Sequence, residues 1–236
     1  MRARLPERDL GRPRISRTDV STAPEFLAPV PVPAAEDDSA LPRRIKILLD
    51  RLIAATAMIA LAPMLMLIAL AIKLESRGPV VFRQERHGRK MELFTIYKFR
   101  TMHVTSEVRG FVQATRGDDR TTRVGRLLRR ASLDELPQLY NVLRGDMSLV
   151  GPRPHPVDLD ARYLGVLPRY AERYSVRPGI TGWAQIQGYR GPTEVEGSME
   201  ARLESDLYYA ENWSIWLDLK IMLVTPFFGI FGKNAF

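Results

Sequence analysis

LIAATAMIALAPMLMLIALAI, residues 52–72, carries no charged side chain, and as a helix it reaches the roughly 20 residues needed to cross the hydrocarbon of a bilayer. It is the only such segment in the sequence. Arg43, Arg44, Lys46 and Arg51 precede it, and Lys73, Arg77, Arg83 and Arg86 follow. A helix that simply spans shows a Lys/Arg bias to one side, so this symmetry predicts a re-entrant helix over about residues 44–76 that bends and returns to its own face. Pro63 stands in the middle, where a lost backbone donor and a clash with the preceding turn give a physical reason for the bend. An ordinary span with a tolerated proline is the alternative.

Upstream, residues 1–40 have no helical or strand period, and PEFLAPVPVPAAEDDSA (residues 24–40) is close to low complexity. This composition predicts a disordered tail. It has no apolar run followed by a small-residue cleavage site, so it does not read as a secretory signal. The folded domain is then expected over residues 41–236, with its catalytic core over about 77–236. The 236 residues are 45% hydrophobic, enough to bury one sizeable core. Cysteine is absent, which excludes disulfides, thiolate zinc sites and a cysteine nucleophile. Thirty-five Lys and Arg against 27 Asp and Glu give a net charge of +8, which suits nucleic acid, phosphorylated substrates or acidic lipid.

Downstream, VVFRQ (80–84) and LFTIYKF (93–99) flank RHGRK (86–90) and predict a β-hairpin. RVGRLLRR (123–130), a segment from Asp134, and ARYLGVLPRYAERY (161–174) have helical period, with Pro168 breaking the last. From Met199 to Phe231, Tyr208, Tyr209, Trp213 and Trp216 alternate with Glu211, Asp218 and Lys220. Such helices suit a water–lipid interface, or equally a face on the protein's own core. The expected fold is α+β: a mostly helical, membrane-associated catalytic domain with a re-entrant N-terminal helix, a small β-hairpin and amphipathic interfacial helices.

Residues 129–154, RRASLDELPQLYNVLRGDMSLVGPRP, concentrate the chemistry. Ser132 followed three residues later by Glu135 reads as a capping box opening a helix that stops at Gly145. That places Asp134 and Glu135 in a first turn, where amide N–H groups and the helix dipole favour carboxylates and phosphates. Acidic residues also occupy first turns merely to stabilise helices. Arg129 and Arg130 before the pair, and Arg153 between Pro152 and Pro154 after it, could neutralise a carboxylate and an anionic substrate together. A divalent cation held by Glu135 would complete the balance.

SLDELPQL followed by NVLRGDMSLVGPRP, with KFRTM (98–102) upstream and RPGITGWAQIQG (177–188) downstream, resembles the bacterial sugar transferase family. These are the monotopic polyprenyl-phosphate phosphoglycosyl transferases, and the likeness extends from about Arg43 to the C-terminus. It implies a two-step transfer of a sugar phosphate from a UDP-sugar to polyprenyl (undecaprenyl) phosphate, an early membrane step of polysaccharide or glycoconjugate assembly. In this family the aspartate matching Asp134 attacks the sugar-bearing phosphate, releases UMP and forms a covalent intermediate. Glu135 matches the magnesium ligand, so Mg2+ is the implied cofactor. Arg153 matches an arginine on the substrate phosphates, and Lys98 and Arg100 match a further basic motif placed near them. Arg177, Thr181, Gly182, Trp183 and Gln185 fall in a turn-rich loop that the resemblance places near the nucleotide or sugar, with backbone amides at Gly179.

Gly188, Arg190, Gly191 and Thr193 form a GxRGxT stretch like that of members transferring glucose 1-phosphate, which points to UDP-glucose. UDP-galactose and a UDP-N-acetylhexosamine stay open as donors. Many members are longer, with several membrane helices and a soluble domain ahead of the part seen here. The expected partners are the UDP-sugar, the polyprenyl phosphate and membrane lipid at the cytoplasmic face of the bacterial inner membrane, with a homodimer left open. A membrane-anchored basic binding module is the rival class. No nucleic-acid partner is expected, because no helix-turn-helix, RNA-recognition or zinc motif accompanies the charge. His87, His103 and His155 are scattered and are assigned no metal.

Overall fold

The computed structural model describes residues 37–104, 118–189 and 198–231, the last five by backbone alone. The predicted tail up to residue 36 lies outside the described residues, as do Arg190, Gly191 and Thr193.

The apolar stretch lies inside α1 (Leu41–Glu75), a 35-residue helix that starts with a proline in its first turn and runs through Pro63 without interruption. At 1.5 Å per residue it is roughly 50 Å long, more than the ~30 Å of a hydrocarbon layer. Lys46, Asp50, Ala54, Ile68 and Ile72 form a buried stripe along it. Leu48, Leu52, Ile59, Met66, Leu67 and Leu70 point outward and are exposed. So many outward apolar side chains suit lipid rather than water. Both halves of α1 rest on the same body: Ala54 joins one core cluster with Ile96, Val142 and Ile221, and Ile68 and Ile72 join another with Phe99 and Leu128.

The expected hairpin is present as antiparallel β1 (Val81–His87) and β2 (Leu93–Phe99), in register from Val81 opposite Phe99 to His87 opposite Leu93. Alternation places Arg86, Ile96 and Lys98 on one face, and Ile96 is buried. α2 (Arg123–Arg130) is capped twice at its start. Thr122 Oγ1 accepts from Gly125 N at 2.9 Å, and the Glu75 carboxylate accepts from Arg123 N at 2.7 Å and Val124 N at 2.9 Å. The last turn of the apolar helix thereby fixes the first turn of α2.

The capping box is not formed. Ser132 has φ 55°, in the left-handed region, and its side chain caps nothing. It is the corner between α2 and a 3-10 turn at Leu133–Glu135, whereas a capping serine needs extended backbone. The helix proper, α3 (Gln138–Arg144), begins after Pro137 and stops at Gly145 as expected, with φ 92° there and Gly145 N bonded to the carbonyls of Asn141 and Val142. A second, parallel pair joins β3 (Ser148–Val150) to β4 (Gly179–Thr181). At three residues each, these strands are too short to show a period in sequence.

Between them, α4 (Val157–Leu164) ends ahead of Pro168, and a 3-10 turn follows at Tyr170–Ser175. After the short α5 (Trp183–Ile186) come α6 (Ser198–Glu211) and α7 (Ile215–Phe231). α6 faces the core through Met199, Leu203 and Leu207, so the first half of the expected interfacial stretch is a packing helix. α7 leaves Trp216, Leu219 and Leu223 exposed.

Asn141 ties α3 to the hairpin: its Oδ1 accepts from Tyr97 N at 3.1 Å and its Nδ2 donates to the Thr95 carbonyl at 2.7 Å, with the residue fully buried. Asn141→Ala leaves both strand groups without partners and should cost about 2 kcal/mol. The expected outcome is a fall in melting temperature of about 4–8 °C in detergent; an unchanged melt would remove this role.

Candidate active site

Three separate segments meet at one carboxylate. Lys98, at the end of β2, donates from Nζ to Glu135 Oε1 at 2.7 Å. Arg153, on the loop after β3, donates from Nη1 to Glu135 Oε2 at 3.0 Å and from Nη2 to Oε1. Burial alone would raise the Glu135 carboxyl, but the Arg153 and Lys98 charges and hydrogen bonds hold it well below the ordinary range. Glu135 raises Arg153 in turn, against the effect of burial. Burial lowers the Lys98 ammonium, and Glu135 opposes it.

The neighbouring carboxylate is different. Asp134 is buried, and among the described residues it accepts no hydrogen bond and forms no close ion pair. Burial raises its carboxyl above the ordinary value and the Glu135 charge adds to that, while Lys98, Arg129 and Arg153 pull it down. One acid is saturated by cations; the other is desolvated and open to a partner. Two carboxylates whose surroundings drive them apart are equipped for different tasks.

Arg129 acts on Asp134 through its charge while its Nε donates to Thr101 Oγ1 at 2.9 Å. Arg130 is exposed at the end of α2. Arg100 is buried and donates to the Ser76 carbonyl and hydroxyl at 2.8 Å each, holding the C-terminal end of α1. Arg177 bonds the Gly145 carbonyl at 3.1 Å and the Asp38 carboxylate at 3.1 and 2.6 Å, beside Arg89. It borders a cleft of about 250 Å³ lined also by Lys90, Glu92 and Asp146, which contains neither acid of the pair.

The loop expected to offer amides to a ligand spends them internally. Gly179 N donates to the Pro152 carbonyl and Gly151 N to the Thr181 carbonyl, both at 2.9 Å. A Cβ on Gly182 would stand 2.2 Å from the Gly151 carbonyl oxygen. Thr181 Oγ1 bonds Thr225 Oγ1 at 2.7 Å, Gln185 Nε2 bonds the Ile180 carbonyl at 3.1 Å, and Trp183 lies between Tyr208 and Lys220. In this structure the backbone at Gly179, Thr181 and Gly182 thus packs on Gly151 and Pro152 beside Arg153, and the side chains of Thr181, Trp183 and Gln185 serve other neighbours. Arg190 lies outside the described residues.

Sequence reasoning missed Arg86 as a site residue. Its Nη1 donates to the Pro154 carbonyl at 3.1 Å, and burial, with Arg153 adding to it, pushes its guanidinium down to about 10. Hairpin alternation places it on the Lys98 face, but only the tertiary contact with Pro154 shows that it approaches Arg153. Lys98, Arg153, Arg86 and Arg129 outnumber the two acids, so the site carries spare positive charge for a phosphate beside Asp134.

For a metal, the donors are two adjacent carboxylates, and no group of three His, Asp or Glu side chains gathers as a cage among the described residues. All-oxygen donors in that number fit magnesium, which typically takes one or two carboxylates and completes its shell with substrate phosphate oxygens and water.

A family model described as bacterial sugar transferase matches residues 41–232. The UDP-glucose:undecaprenyl-phosphate glucose-1-phosphate transferase of Caulobacter vibrioides is 56% identical over 180 residues, covering 76% of this chain and 67% of that protein. The protein of the same description from Escherichia coli is 48% identical over 187 residues, covering 79% of this chain and 40% of its own length. The UDP-N-acetylgalactosamine-undecaprenyl-phosphate N-acetylgalactosaminephosphotransferase of Aeromonas hydrophila is 44% identical over 178 residues, covering 75% of this chain and 41% of that one.

The depressed Glu135 carboxyl gives a signed pH effect. Its folded-state value lies below its unfolded value of about 4.3, so its stabilisation is complete above that pH and is lost as pH falls toward the folded-state value. Asp134, raised in the folded state, has the opposite sign. At neutral pH, Glu135→Gln should have a lower urea midpoint than the unaltered protein, with the gap narrowing below about pH 4. A gap that does not change with pH would count against the ion pairs.

Proposed function

Because the chain belongs to the bacterial sugar transferase family, we propose that it transfers a hexose 1-phosphate from a UDP-sugar to a polyprenyl phosphate, with Asp134 as nucleophile. The observation that carries the proposal is the split pair: Glu135 is fully engaged by Lys98 and Arg153, and Asp134 beside it is buried without a partner. In the first step an Asp134 carboxylate oxygen attacks the sugar-bearing phosphorus. The P–O bond to UMP breaks, UMP leaves with the electron pair, and an acyl phosphate forms. In the second step a phosphate oxygen of the acceptor attacks the same phosphorus, and the Asp134 carboxylate departs. Splitting one transfer in two keeps both substrates from having to meet in one geometry.

Arg153 binds the donor's phosphates in bidentate fashion, as a planar guanidinium does best. Lys98, Arg86 and Arg129 lower the cost of placing that charge beside two acids. Magnesium, when bound, would neutralise the diphosphate, held by Asp134 and by Glu135, whose carboxylate would exchange one of its Lys98 or Arg153 bonds for the metal.

UDP-glucose is the proposed donor, supported by the GxRGxT stretch at Gly188–Thr193 and by relatives from C. vibrioides and E. coli described with that sugar. The A. hydrophila relative, described with an N-acetylhexosamine, keeps that sugar as the second reading.

The proposed topology is re-entrant, with the catalytic body at the cytoplasmic face of the inner membrane. Both ends of α1 bond to that one body: Asp38 to Arg89 and Arg177, and Lys46 to Asp218, at the start; Glu75 to α2 and Ser76 to Arg100 at the end. A transmembrane span would put one of these two sets of contacts on the far side of the bilayer from the body.

Three experiments decide these points. Mass spectrometry after mixing with UDP-glucose alone should find a phosphohexose on Asp134, and Asp134→Asn should lose the adduct and at least ~10³-fold in UMP release. Retained turnover in that variant would eliminate the nucleophile. UMP release should fall off in acid with a midpoint above the ordinary aspartate value of about 3.9, because Asp134 must be ionised and its value is raised. For topology, Ala40→Cys and Arg77→Cys, made singly in a chain without native cysteine, should both resist impermeant thiol reagents in intact cells. Labelling of one and not the other would mean that α1 spans.

A further inference from the structure

The loop presenting Arg153 is poor in donors of its own. Pro152 and Pro154 flank the arginine, and neither has an N–H. Its place is set through carbonyls, and each of the three accepts a bond from another segment. Pro152 O accepts from Gly179 N at 2.9 Å, Arg153 O from Arg173 Nη2 at 2.6 Å, and Pro154 O from Arg86 Nη1 at 3.1 Å.

Arg173 is 2% exposed and lies in the 3-10 turn at Tyr170–Ser175. Asp206 on α6, also 2% exposed, accepts from its Nε at 3.2 Å and its Nη2 at 2.8 Å. Its Nη1 meets His155 Nδ1 at 2.7 Å. A buried ion pair of this kind is often no more stable than an apolar pair of the same volume, so fold stability gives it little reason to be ionic. Reaching a carbonyl beyond the acid does. The fork lets one guanidinium serve Asp206 and Arg153 O together, which a lysine's point charge does poorly.

We propose that Arg173, oriented by Asp206, is a positioning residue that fixes the main chain at Arg153 so that its guanidinium meets Glu135 and the donor's phosphates, a role that rests on the proposed contact of Arg153 with the donor. Loss of the clamp lets the loop drift by a fraction of a side chain, and about 1 Å of misplacement can cost ~10²-fold in rate.

The test is a double-mutant cycle on kcat/KM for UMP release from UDP-glucose, using two ways of removing the clamp. Arg173→Lys keeps a cation facing Asp206 but gives up the fork. Arg173→Met combined with Asp206→Leu removes the two charges together, so neither is left facing a neutral partner, while Asp160 keeps His87. Whichever keeps the native melting temperature is scored, and both are scored if both do. The expected loss is about 10- to 100-fold with Arg153 present and under about 3-fold in an Arg153→Ala background, because a clamp has nothing left to position. Equal losses in the two backgrounds, or none with Arg153 present, would overturn the positioning role and leave the proposed reaction standing. Wild-type kcat/KM in Arg153→Ala alone would instead refute the phosphate contact itself.

Discussion

Glu135 sits where a strand end, a 3-10 turn and a proline-bounded loop have to meet, and its carboxylate is what they share. Lys98 and Arg153 come from segments 55 residues apart in sequence, and neither cation has an equivalent acid elsewhere in the described contacts. A buried carboxylate demands such partners, and the half-buried cations gain from the acid. The mutual requirement locks three backbone segments into one geometry. It also leaves Asp134 beside the pair with none of that charge bonded to it. The unsatisfied acid is thus a by-product of the satisfied one, in the sense that Glu135 consumes the nearest cations.

Around this point the protein repeats one device: a polar side chain from one element takes a backbone group of another. Asn141 does so for the hairpin, Glu75 for α2, Arg100 for the end of α1, and Arg86 and Arg173 for the Arg153 loop. Short elements make this necessary. β3, β4 and α5 have three or four residues each, too few to hold position through their own ladders. Side-chain bonds supply the rigidity that longer strands would otherwise provide.

Much of this was legible in the sequence. The apolar run, the hairpin, the break at Pro168 and the stop at Gly145 each follow from local rules about length, alternation, proline and glycine. The acidic pair and its closest cations were legible too, through the motifs that carry the family resemblance, whereas the capping-box spacing around the pair was not formed. Ser132 was misread because S-x-x-E fits a capping box whenever its glutamate is free, and here tertiary contacts claim Glu135. Arg100 and Arg177 both lie in motifs expected to face the substrate, yet one holds Ser76 and the other Asp38. The target of a long arginine is decided by what the fold brings within reach, so Arg86 and Arg173 were invisible for the same reason.

Lys46 belongs to the apolar helix, but its ammonium reaches the Val150 carbonyl at 3.3 Å and Asp218 at 2.7 Å, where Tyr209 and Trp213 also converge. Val150 is the last residue of β3, three positions ahead of Arg153. Trimming the chain at residue 76 would take the Lys46 charge from Asp218 and leave the Val150 carbonyl with Tyr209 as its side-chain donor. The apolar helix and the strand ahead of Arg153 therefore share parts, because one lysine belongs to the contacts of both.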